Sequence, residues 1–532
     1  MTDGTVSTSV ATTKGGSPHL NTVSGLALAA MAIAIQLSVA LWSMSVSTQV
    51  VLGAAAAVLT CLGGLVVVSG LDHNVKAIAH WRLGPWYLIW GAFAFGLASL
   101  TWVSPQVGTS SQIAPESVVY ALKVFIAATI VWTAGYVAGI PTLVRRNAGR
   151  AVGLITRGTT SVIGGPGIPW MMYGIGSLAR LVTIVLTNRL GFVGDATGLV
   201  SQARPYSLAL DAVAMLTVFA IAAAAYRAFI PTIPGGKATL WTLAGIEVVV
   251  GALAGGKQSF VIAVLAVVIP YGAIRGRLAM RILLPGSLAF LFIVLPFNGA
   301  YRQVVRHGSE ASTLSPTDAT AAAPGILSQT TSGGSPLTVF SDSATVLLYR
   351  VRLIDSLAII TQRAPSMIPY SDPLEFATAP FVGLIPRVVW PNKPVLATGY
   401  QFSQDYYGLP ASVLSASSIT PVGDLYRHGG SVVAIVGMFV IGIACRLFDT
   451  LFRPEKDPRA VCFLLVFLPT MVKSEVDLYA LIVNVPAGLL TAALGAQLIC
   501  KRRSAGLTQP TVRNDLSLDP PTNFAADAVD RG

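Results

Sequence analysis

Residues 46–70, VSTQVVLGAAAAVLTCLGGLVVVSG, form an apolar run without a single charge. As an α-helix, this run would be about 37 Å long and would exceed the roughly 30 Å hydrocarbon core of a bilayer. Runs of this kind recur along most of the chain. Because lipid offers no hydrogen-bond partner to peptide groups, each run must satisfy its own groups as a helix. The pattern predicts an all-α, polytopic bundle of transmembrane helices.

The composition excludes a soluble globular domain. The 532 residues are 53% hydrophobic and 11% charged, with a mean hydropathy of +0.68, whereas a soluble domain carries about 25% charged residues. The net charge of +12 falls largely in short loops, where it sets membrane orientation and does not indicate a nucleic-acid partner. The four cysteines follow no disulfide or zinc spacing, and we expect them to be packing residues.

The apolar runs predict about twelve spans. They lie near residues 22–42, 46–70, 85–103, 117–140, 168–188, 206–228, 238–254, 258–274, 282–300, 430–452, 460–473 and 477–500. The eleventh is short and contains Pro469, so we expect it to be broken or re-entrant. The chain then divides into disordered polar tails at 1–20 and 504–532, a bundle at 21–300, a loop region at 301–429 and C-terminal spans at 430–503.

Basic residues are concentrated in alternate loops. The clusters are Lys76 and Arg82; Arg145, Arg146, Arg150 and Arg157; Arg227 and Lys237; Arg275, Arg277 and Arg281; Arg446, Arg453, Lys456 and Arg459; and Lys501, Arg502 and Arg503. Cytoplasmic loops carry an excess of Lys and Arg, so this pattern predicts that both termini are cytoplasmic. The 301–429 region then lies outside the cell as a large region of short helices and extended segments.

The 301–429 region has three parts. Residues 308–345 are rich in Ser, Thr, Ala and Gly, and we expect them to be flexible. Residues 349–363, YRVRLIDSLAIITQR, have helical spacing and predict a helix at the membrane interface. Residues 380–394, PFVGLIPRVVWPNKP, contain four prolines, which exclude a continuous helix and favour an extended path.

Four charges fall within predicted spans: Lys123, Arg180, Asp211 and Glu247. A charge at the bilayer centre costs roughly 2.5–3.5 kcal/mol on insertion scales, so each needs a partner or a water-filled cavity. One interpretation places Arg180, Asp211 and Glu247 in a polar cavity open to the outside. The alternative is a purely structural ion pair of Arg180 with Asp211 or Glu247.

The outer region is rich in cations. They are Lys257, Arg302, Arg306, Arg350, Arg352, Arg363, Arg387, Lys393 and Arg427. Arginine's planar fork binds phosphate oxygens in pairs, so the set favours an anionic headgroup such as a diphosphate, with ordinary surface ion pairs as the alternative. Arg350 and Arg352 lie about 200° apart around a helix, so one should face the cavity while the other meets Asp355.

Several stretches resemble the bacterial O-antigen polymerase (Wzy-type) family. They are YRVRLID at 349–355, IPRVVWPNKP at 385–394 and GDLYRHGGSVVAIVGMFVIG at 423–442, together with GGKQSF at 255–260 and NGAYRQVVR at 298–306. The GGKQSF turn resembles a GsRg turn of that family, with Lys257 in the place of the arginine. The resemblance covers roughly residues 240–450.

The resemblance implies a GT-C-like fold and an enzyme of the bacterial cytoplasmic membrane. Such an enzyme joins undecaprenyl-diphosphate-linked oligosaccharide repeat units on the outer face, without a nucleotide sugar, a metal or another cofactor. It implies that Arg302, Arg350, Arg352 and Arg387 bind the diphosphate with help from Lys257. Asp355, Asp424 and His428 are then the candidates for the base that activates the acceptor hydroxyl.

The implied partners are the lipid-linked oligosaccharide, membrane lipids, and a flippase or a chain-length regulator. Two alternatives remain open at this stage. One is an O-antigen ligase-like glycosyltransferase with a different acceptor, and the other is a transporter or flippase for a lipid-linked or anionic solute.

Overall fold

The structure is a computed structural model. It describes residues 27–28, 30–34, 44–70, 76–103, 112–155, 162–187, 189–190, 193–194, 206–230, 236–306, 314–332, 336–385, 389–390, 393, 398–410 and 416–501. The predicted tails at 1–20 and 504–532 lie outside the described residues, and so does most of the first predicted span at 22–42. Arg387 also lies outside them.

The described chain is almost wholly α-helical. In order, the helices are α1 (Val46–Gly70), α2 (Leu83–Val103, ending in a π turn and a 3-10 turn), α3 (Pro115–Val137), α4 (Thr142–Ile155), α5 (Gly167–Thr187), α6 (Ser207–Ala214), α7 (Leu216–Phe229), α8 (Gly236–Leu253), α9 (Lys257–Arg275), α10 (Met280–Ala289), α11 (Leu295–Arg306), α12 (Pro316–Ser332), α13 (Pro336–Val351), α14 (Ile354–Arg363), α15 (Glu375–Leu384), α16 (Thr398–Tyr407), α17 (Pro421–Arg427), α18 (Gly430–Leu451), α19 (Ala460–Lys473) and α20 (Leu478–Ile499). Four two-residue strands, β1 (Val162–Ile163), β2 (Arg189–Leu190), β3 (Val193–Gly194) and β4 (Cys500–Lys501), form two small antiparallel pairs, β1–β4 and β2–β3.

Ten helices of the described chain are long and apolar enough to cross a membrane. They are α1, α2, α3, α5, the joined pair α6–α7 (Ala209–Phe229), α8, α9, the joined pair α10–α11 (Met280–Arg302), α18 and α20. These ten coincide with ten of the predicted spans. The eleventh predicted span is α19, an apolar helix of 14 residues with Pro469 inside it, which is too short for a full crossing.

Contacts between helix termini define two ends of the bundle. At one end, Arg82 donates to the backbone oxygen of Asp449 (3.0 Å) and pairs with Glu455 (2.9 Å). Segments of other predicted basic clusters lie here too, since Arg275 donates to the carbonyl of Phe229 (3.5 Å) and the Tyr226 hydroxyl donates to that of Pro454 (3.3 Å), so we call it the basic end. The opposite end carries the described parts of residues 301–429, and we call it the loop end.

A buried carboxylate ties three helices together at the basic end. Asp449 in α18 accepts hydrogen bonds from the backbone N–H groups of Leu83 (2.7 Å) and Gly84 (2.9 Å). It also accepts one from the hydroxyl of Tyr136 in α3 (2.7 Å). An acidic side chain at a helix N-terminus satisfies unpaired N–H groups there and interacts well with the helix dipole. Asp449 therefore caps α2 from a distant part of the chain.

Helices α3 and α18 pack with their backbones in contact. A Cβ atom at Gly135 would lie 2.2 Å from the carbonyl oxygen of Phe439, and one at Gly442 would lie 2.2 Å from that of Trp132. Small residues permit such approach, which is how helices associate where lipid provides no hydrophobic driving force. The four cysteines are free and buried in the described core, which agrees with their predicted packing role.

The prediction that residues 308–345 are flexible is wrong for the part that the structure describes, because that part forms α12 and α13. Alanine, the best helix former, is abundant in α12. The side chain of Ser315 accepts from the N–H of Asp318 (3.2 Å) and donates to its carboxylate (2.7 Å), which fixes the start of the helix. One face of α12 packs on α11 through buried residues: Ala319, Ala323 and Ile326 against Phe297 and Tyr301.

The predicted interfacial helix at 349–363 is instead two helices, since α13 ends at Val351 and α14 begins at Ile354. The apolar residues of α14 are buried against α3 and α17 rather than at the protein surface. In the proline-rich stretch, Pro380 lies inside α15, which ends at Leu384 before Pro386. A proline disfavours helical backbone in the residue before it, which explains this end point.

Candidate functional site

Three cations meet at the loop end. Lys257 begins α9, Arg302 lies in α11, and Arg350 lies in the last turn of α13. Arg302 donates to the carbonyl of Gly255, two residues before Lys257, and α13, which carries Arg350, contacts α11, so the three charges are close enough to affect one another. We call these three residues the cationic cluster. It unites three of the five residues to which the resemblance assigned diphosphate binding.

The end of α11 holds the turn that precedes Lys257. The Tyr301 hydroxyl donates to the carbonyl of Leu253 (2.9 Å), and Nε of Arg302 donates to the carbonyl of Gly255 (3.1 Å). Gly255 has a φ of +66°, a left-handed conformation that costs glycine little. The GGKQSF and NGAYRQVVR motifs therefore form one structural unit although they are distant in sequence.

The cationic cluster is accessible to a ligand. Arg350 is exposed, and Lys257 and Arg302 are half-buried. No carboxylate of the described residues forms an ion pair with Lys257 or Arg350. Like charges held close together repel each other, and an anion bound among them would relieve that repulsion. The cluster thus has the charge and the exposure that an anion-binding site needs.

Arg352 has a different role from Arg350. Its Nε lies 2.9 Å from both carboxylate oxygens of Asp355, and its Nη1 donates to the hydroxyl of Thr101 (3.0 Å). The indole N–H of Trp102 donates to the same carboxylate (2.8 Å), and the guanidinium lies 4.9 Å from the Trp102 ring. Arg352 is only 3% exposed. This buried network attaches the 301–429 region to the end of α2.

The predicted pair between Asp355 and one of the two arginines is therefore present, and Arg350 lies outside it. Burial raises the pKa of Asp355, and the opposing effects of Arg352 and Trp102 only partly offset that rise. Arg352 and Trp102 donate the side-chain hydrogen bonds that the Asp355 carboxylate accepts from described residues. Arg352 and Asp355 are thus neighbours of the cationic cluster with a structural role.

Asp424 is also fully occupied. Its side chain is 0% exposed and accepts from Nη2 (2.8 Å) and Nε (3.1 Å) of Arg427. It also accepts from the backbone N–H groups of Leu478 (2.9 Å) and Tyr479 (3.2 Å) at the start of α20. Nearby, Asp477 accepts from the N–H of Ala480 (2.6 Å), and burial together with the Asp424 charge raises the pKa of Asp477. Asp424 therefore caps α20.

His428 links Asp424 to an exposed carboxylate. Its ring is 0% exposed, and Nδ1 lies 2.7 Å from the backbone oxygen of Asp424. Its Nε2 lies 3.3 Å from Oε2 of Glu375, the first residue of α15, whose side chain is 51% exposed. The ring of Phe376 covers the imidazole at 4.3 Å. The buried imidazole therefore holds Glu375 on one side, and the other side of its carboxylate is exposed.

Exposed tyrosines stand beside this pair. The hydroxyl of Tyr120 lies 3.1 Å from that of Ser431, and its ring contacts the ring of Tyr426 edge-on at 6.5 Å. A Cβ atom at Gly430 would lie 2.7 Å from the hydroxyl of Tyr370. Tyr120 and Tyr370 are both exposed. We call Tyr120, Tyr370 and Tyr426 the tyrosine face.

Among the predicted cavity charges, Arg180 and Glu247 form a two-pronged ion pair with distances of 2.8 and 2.7 Å. Arg180 also donates to the hydroxyl of Thr217 (2.7 Å), and Glu247 is 2% exposed. Asp211 is exposed and lies outside this network, as does the exposed Lys123. The contacts correspond to the ion-pair alternative for Arg180 and Glu247.

Residues that the sequence did not single out complete these sites. Glu375 resembles any other acidic residue of the loop region, and Trp102 and Tyr120 lie 253 and 311 positions before Asp355 and Ser431, their partners. Nothing in the local sequence could therefore connect them with the site. In the part of the chain that the structure describes, no group of His, Cys, Asp and Glu could hold a metal ion.

The fold and the sites define a polytopic α-helical membrane protein with the cationic cluster and the tyrosine face at its loop end. A family profile described as Domain of unknown function (DUF8712) matches residues 183–451. The match covers half of the chain, so the protein belongs to the DUF8712 family. The matched residues include the cationic cluster, Glu375, Asp424 and His428. No curated protein and no solved structure matches the chain.

Proposed function

We propose that this protein is a membrane glycosyl polymerase with a GT-C-like fold. It joins undecaprenyl-diphosphate-linked oligosaccharide repeat units on the outer face of the bacterial cytoplasmic membrane. The observation that carries this proposal is the cationic cluster, in which three helices contribute Lys257, Arg302 and Arg350 to one accessible place. A diphosphate on a lipid carrier is the ligand whose charge and position at the membrane surface fit such a cluster.

The orientation is part of the proposal. Segments of the predicted basic clusters lie at the basic end, and the excess of Lys and Arg in cytoplasmic loops favours that end as the cytoplasmic one. The loop end, with the cationic cluster, then faces outward, and both termini are cytoplasmic. A cysteine placed at Ser315, which begins α12, should react with an impermeant reagent added outside. Reaction of a cysteine placed at Arg277 instead would reverse the orientation.

In the reaction, a hydroxyl oxygen of the acceptor sugar attacks the anomeric carbon of the donor. The bond between that carbon and the diphosphate oxygen breaks, and the diphosphate leaves with the electron pair. Negative charge grows on the leaving oxygen in the transition state, and cations already in place stabilise it without reorganisation. The cationic cluster therefore serves both binding and departure of the diphosphate.

The experiment compares Arg350→Ala with Arg277→Ala, an exposed arginine of the basic end. Each variant replaces the protein in a strain whose own copy is deleted, and the length of the polymer is measured. We expect Arg350→Ala to reduce chain elongation by about 100-fold or more and Arg277→Ala to leave it unchanged. Arg350→Lys should rescue poorly, since an ammonium cannot bind two phosphate oxygens as a fork does.

The fate of the lipid-linked single units distinguishes the alternatives. A failed polymerase accumulates them on the outer face, whereas a failed flippase traps them on the cytoplasmic face. A ligase would transfer material to a different acceptor without lengthening it. Long polymer at normal yield from the Arg350→Ala variant would overturn the proposal.

A further inference from the structure

Glu375 is a carboxylate of the loop end that is exposed and is held by a buried histidine. Asp355 is bound by Arg352 and Trp102, and Asp424 is buried under Arg427 and the start of α20. Both carboxylates are thus held by several donors, and Asp355 keeps only 16% side-chain exposure. Glu375 is half exposed, and His428 is the described side chain to which its carboxylate is hydrogen-bonded.

The hydrogen bonds of His428 hold Glu375 in place. A backbone carbonyl only accepts, so Nδ1, at 2.7 Å from the Asp424 oxygen, carries a proton. For Nε2 to bind the Glu375 carboxylate as well, either the imidazole carries a second proton or Glu375 is protonated. The Asp424 carboxylate also faces the ring, with Oδ1 3.5 Å from Nδ1. The hydrogen bond at Nε2 therefore fixes the Glu375 carboxyl group against a buried ring.

The tyrosine face, which lies near the Glu375 carboxylate, has the side chains that bind sugars. Aromatic rings stack on the C–H faces of sugar rings, and tyrosine hydroxyls bond to sugar hydroxyls. Tyr370 lies against Gly430 and Tyr120 bonds to Ser431, so both flank the backbone that follows His428. The side chains of Tyr120, Tyr370 and Glu375 are all exposed, so they do not serve to pack the described core.

This second site is connected to the surroundings of the cationic cluster through α16. Tyr407 lies near Asp355 and Arg352, which follow Arg350 in sequence, while Tyr406 lies near Arg427 and Asp424. Two consecutive residues of one helix therefore lie near the two networks. A donor at the cationic cluster and an acceptor at the tyrosine face would both lie at the loop end.

We propose that Tyr120, Tyr370 and Glu375 form the acceptor subsite, which binds the terminal sugar of the glycan chain with Glu375 as the catalytic base and His428 as its positioning residue. This inference rests on the proposed function. Glu375 accepts the proton of the acceptor hydroxyl while that oxygen forms its bond to the anomeric carbon of the donor. The diphosphate takes the electron pair of the broken bond, and the proton passes from Glu375 to water after release.

The test uses the full-length protein in detergent with lipid-linked repeat units from its host as the donor. The acceptor is the repeat-unit oligosaccharide on a simple alkyl aglycone. Glu375→Gln should lower kcat by about 100-fold or more while the acceptor KM stays within about twofold. Tyr370→Ala should raise the acceptor KM about tenfold with little change in kcat, and Tyr370→Phe should remain close to wild type.

Glu116→Gln is the matched control. Glu116 is exposed and lies in the first turn of α3 at the loop end, just as Glu375 lies in the first turn of α15. The substitution and its effect on the helix dipole are therefore the same, and we expect normal kinetics. His428→Gln should lower kcat in the wild-type background but add little to Glu375→Gln, because it acts through Glu375.

The outcomes separate this inference from the proposed function. If the wild-type protein forms no polymer, the proposed function itself fails. If the wild type and Glu116→Gln elongate chains and Glu375→Gln keeps more than about half of their kcat, the acceptor subsite alone is wrong. Additive losses from Glu375→Gln and His428→Gln would make His428 structural and would overturn its positioning role.

Discussion

Replacing Asp424 with Ala should destabilise the protein rather than remove a catalytic group. The substitution deletes the ion pair with Arg427 and both bonds to the N–H groups of Leu478 and Tyr479. Leaving one partner of a buried ion pair alone costs about 3–5 kcal/mol, and losing a helix cap costs about 0.5–2 kcal/mol. The Arg427 side chain keeps 16% exposure, so some of its charge is hydrated. We therefore expect a total near 3–5 kcal/mol.

The measurement is thermal unfolding in detergent, followed by tryptophan fluorescence. An unfolding entropy of about 2.1 cal/mol/K per residue, applied to 532 residues, converts this loss into a fall in Tm of about 3–4 °C. Asp405→Ala, at an exposed aspartate of α16, should leave Tm within about 1 °C. Adding Arg427→Met to Asp424→Ala should recover part of the loss, since it removes the charge left without a partner.

One result would refute this reasoning. If Asp424→Ala unfolds at the wild-type temperature and yet forms no polymer, Asp424 acts in the chemistry and not as a cap. The Arg427→Met addition would then recover nothing.

Three further predictions concern stability at other positions. Asp449→Ala should lower Tm, because three hydrogen bonds to a buried carboxylate at the basic end are lost; an unchanged Tm would contradict its role as a cap of α2. Arg352→Ala should lower Tm while Arg350→Ala leaves it unchanged, because only Arg352→Ala leaves the Asp355 carboxylate without its ion-pair partner. Equal effects in a thermal scan would argue against this division of roles. Gly430→Ala should cost about 1–3 kcal/mol in chemical unfolding, since Gly430 has a φ of +71° and a Cβ there would meet the Tyr370 hydroxyl, and a neutral result would show that this turn relaxes freely.

The membrane-spanning helices were predictable because lipid imposes one rule on every span. A run such as 46–70 must be helical and about 20 residues long wherever it stands in the chain. The helix α12 was missed for the opposite reason. Its stability depends on Phe297 and Tyr301, which bury one face of it, and composition alone shows a polar, Ala-rich stretch that resembles a flexible loop.

The site was predictable where partners are close in sequence. The structure contains the predicted pair of Arg352 and Asp355, although Arg352 lies between α13 and α14 and the two residues do not share one helix face. Glu375 and His428 are 53 positions apart, and only the fold brings them together. The same limit explains why Asp424 looked like a base, since its cap contacts lie in α20.

The Asp424 cap also has a consequence for the order in which the protein assembles. Asp424 precedes the N–H groups of Leu478 and Tyr479 by 54 and 55 positions, so ribosomes complete α17 well before they complete α20. The last span therefore arrives at a bundle in which the acceptor for its first amides already exists. A chain whose loop region is excised or replaced would present α20 to the membrane with those amides unsatisfied, at a cost of several kcal/mol for each such group in lipid. The loop region is in this sense an assembly factor for the span that follows it, and exchange of loop regions between relatives should succeed only when α17 and α20 are moved together.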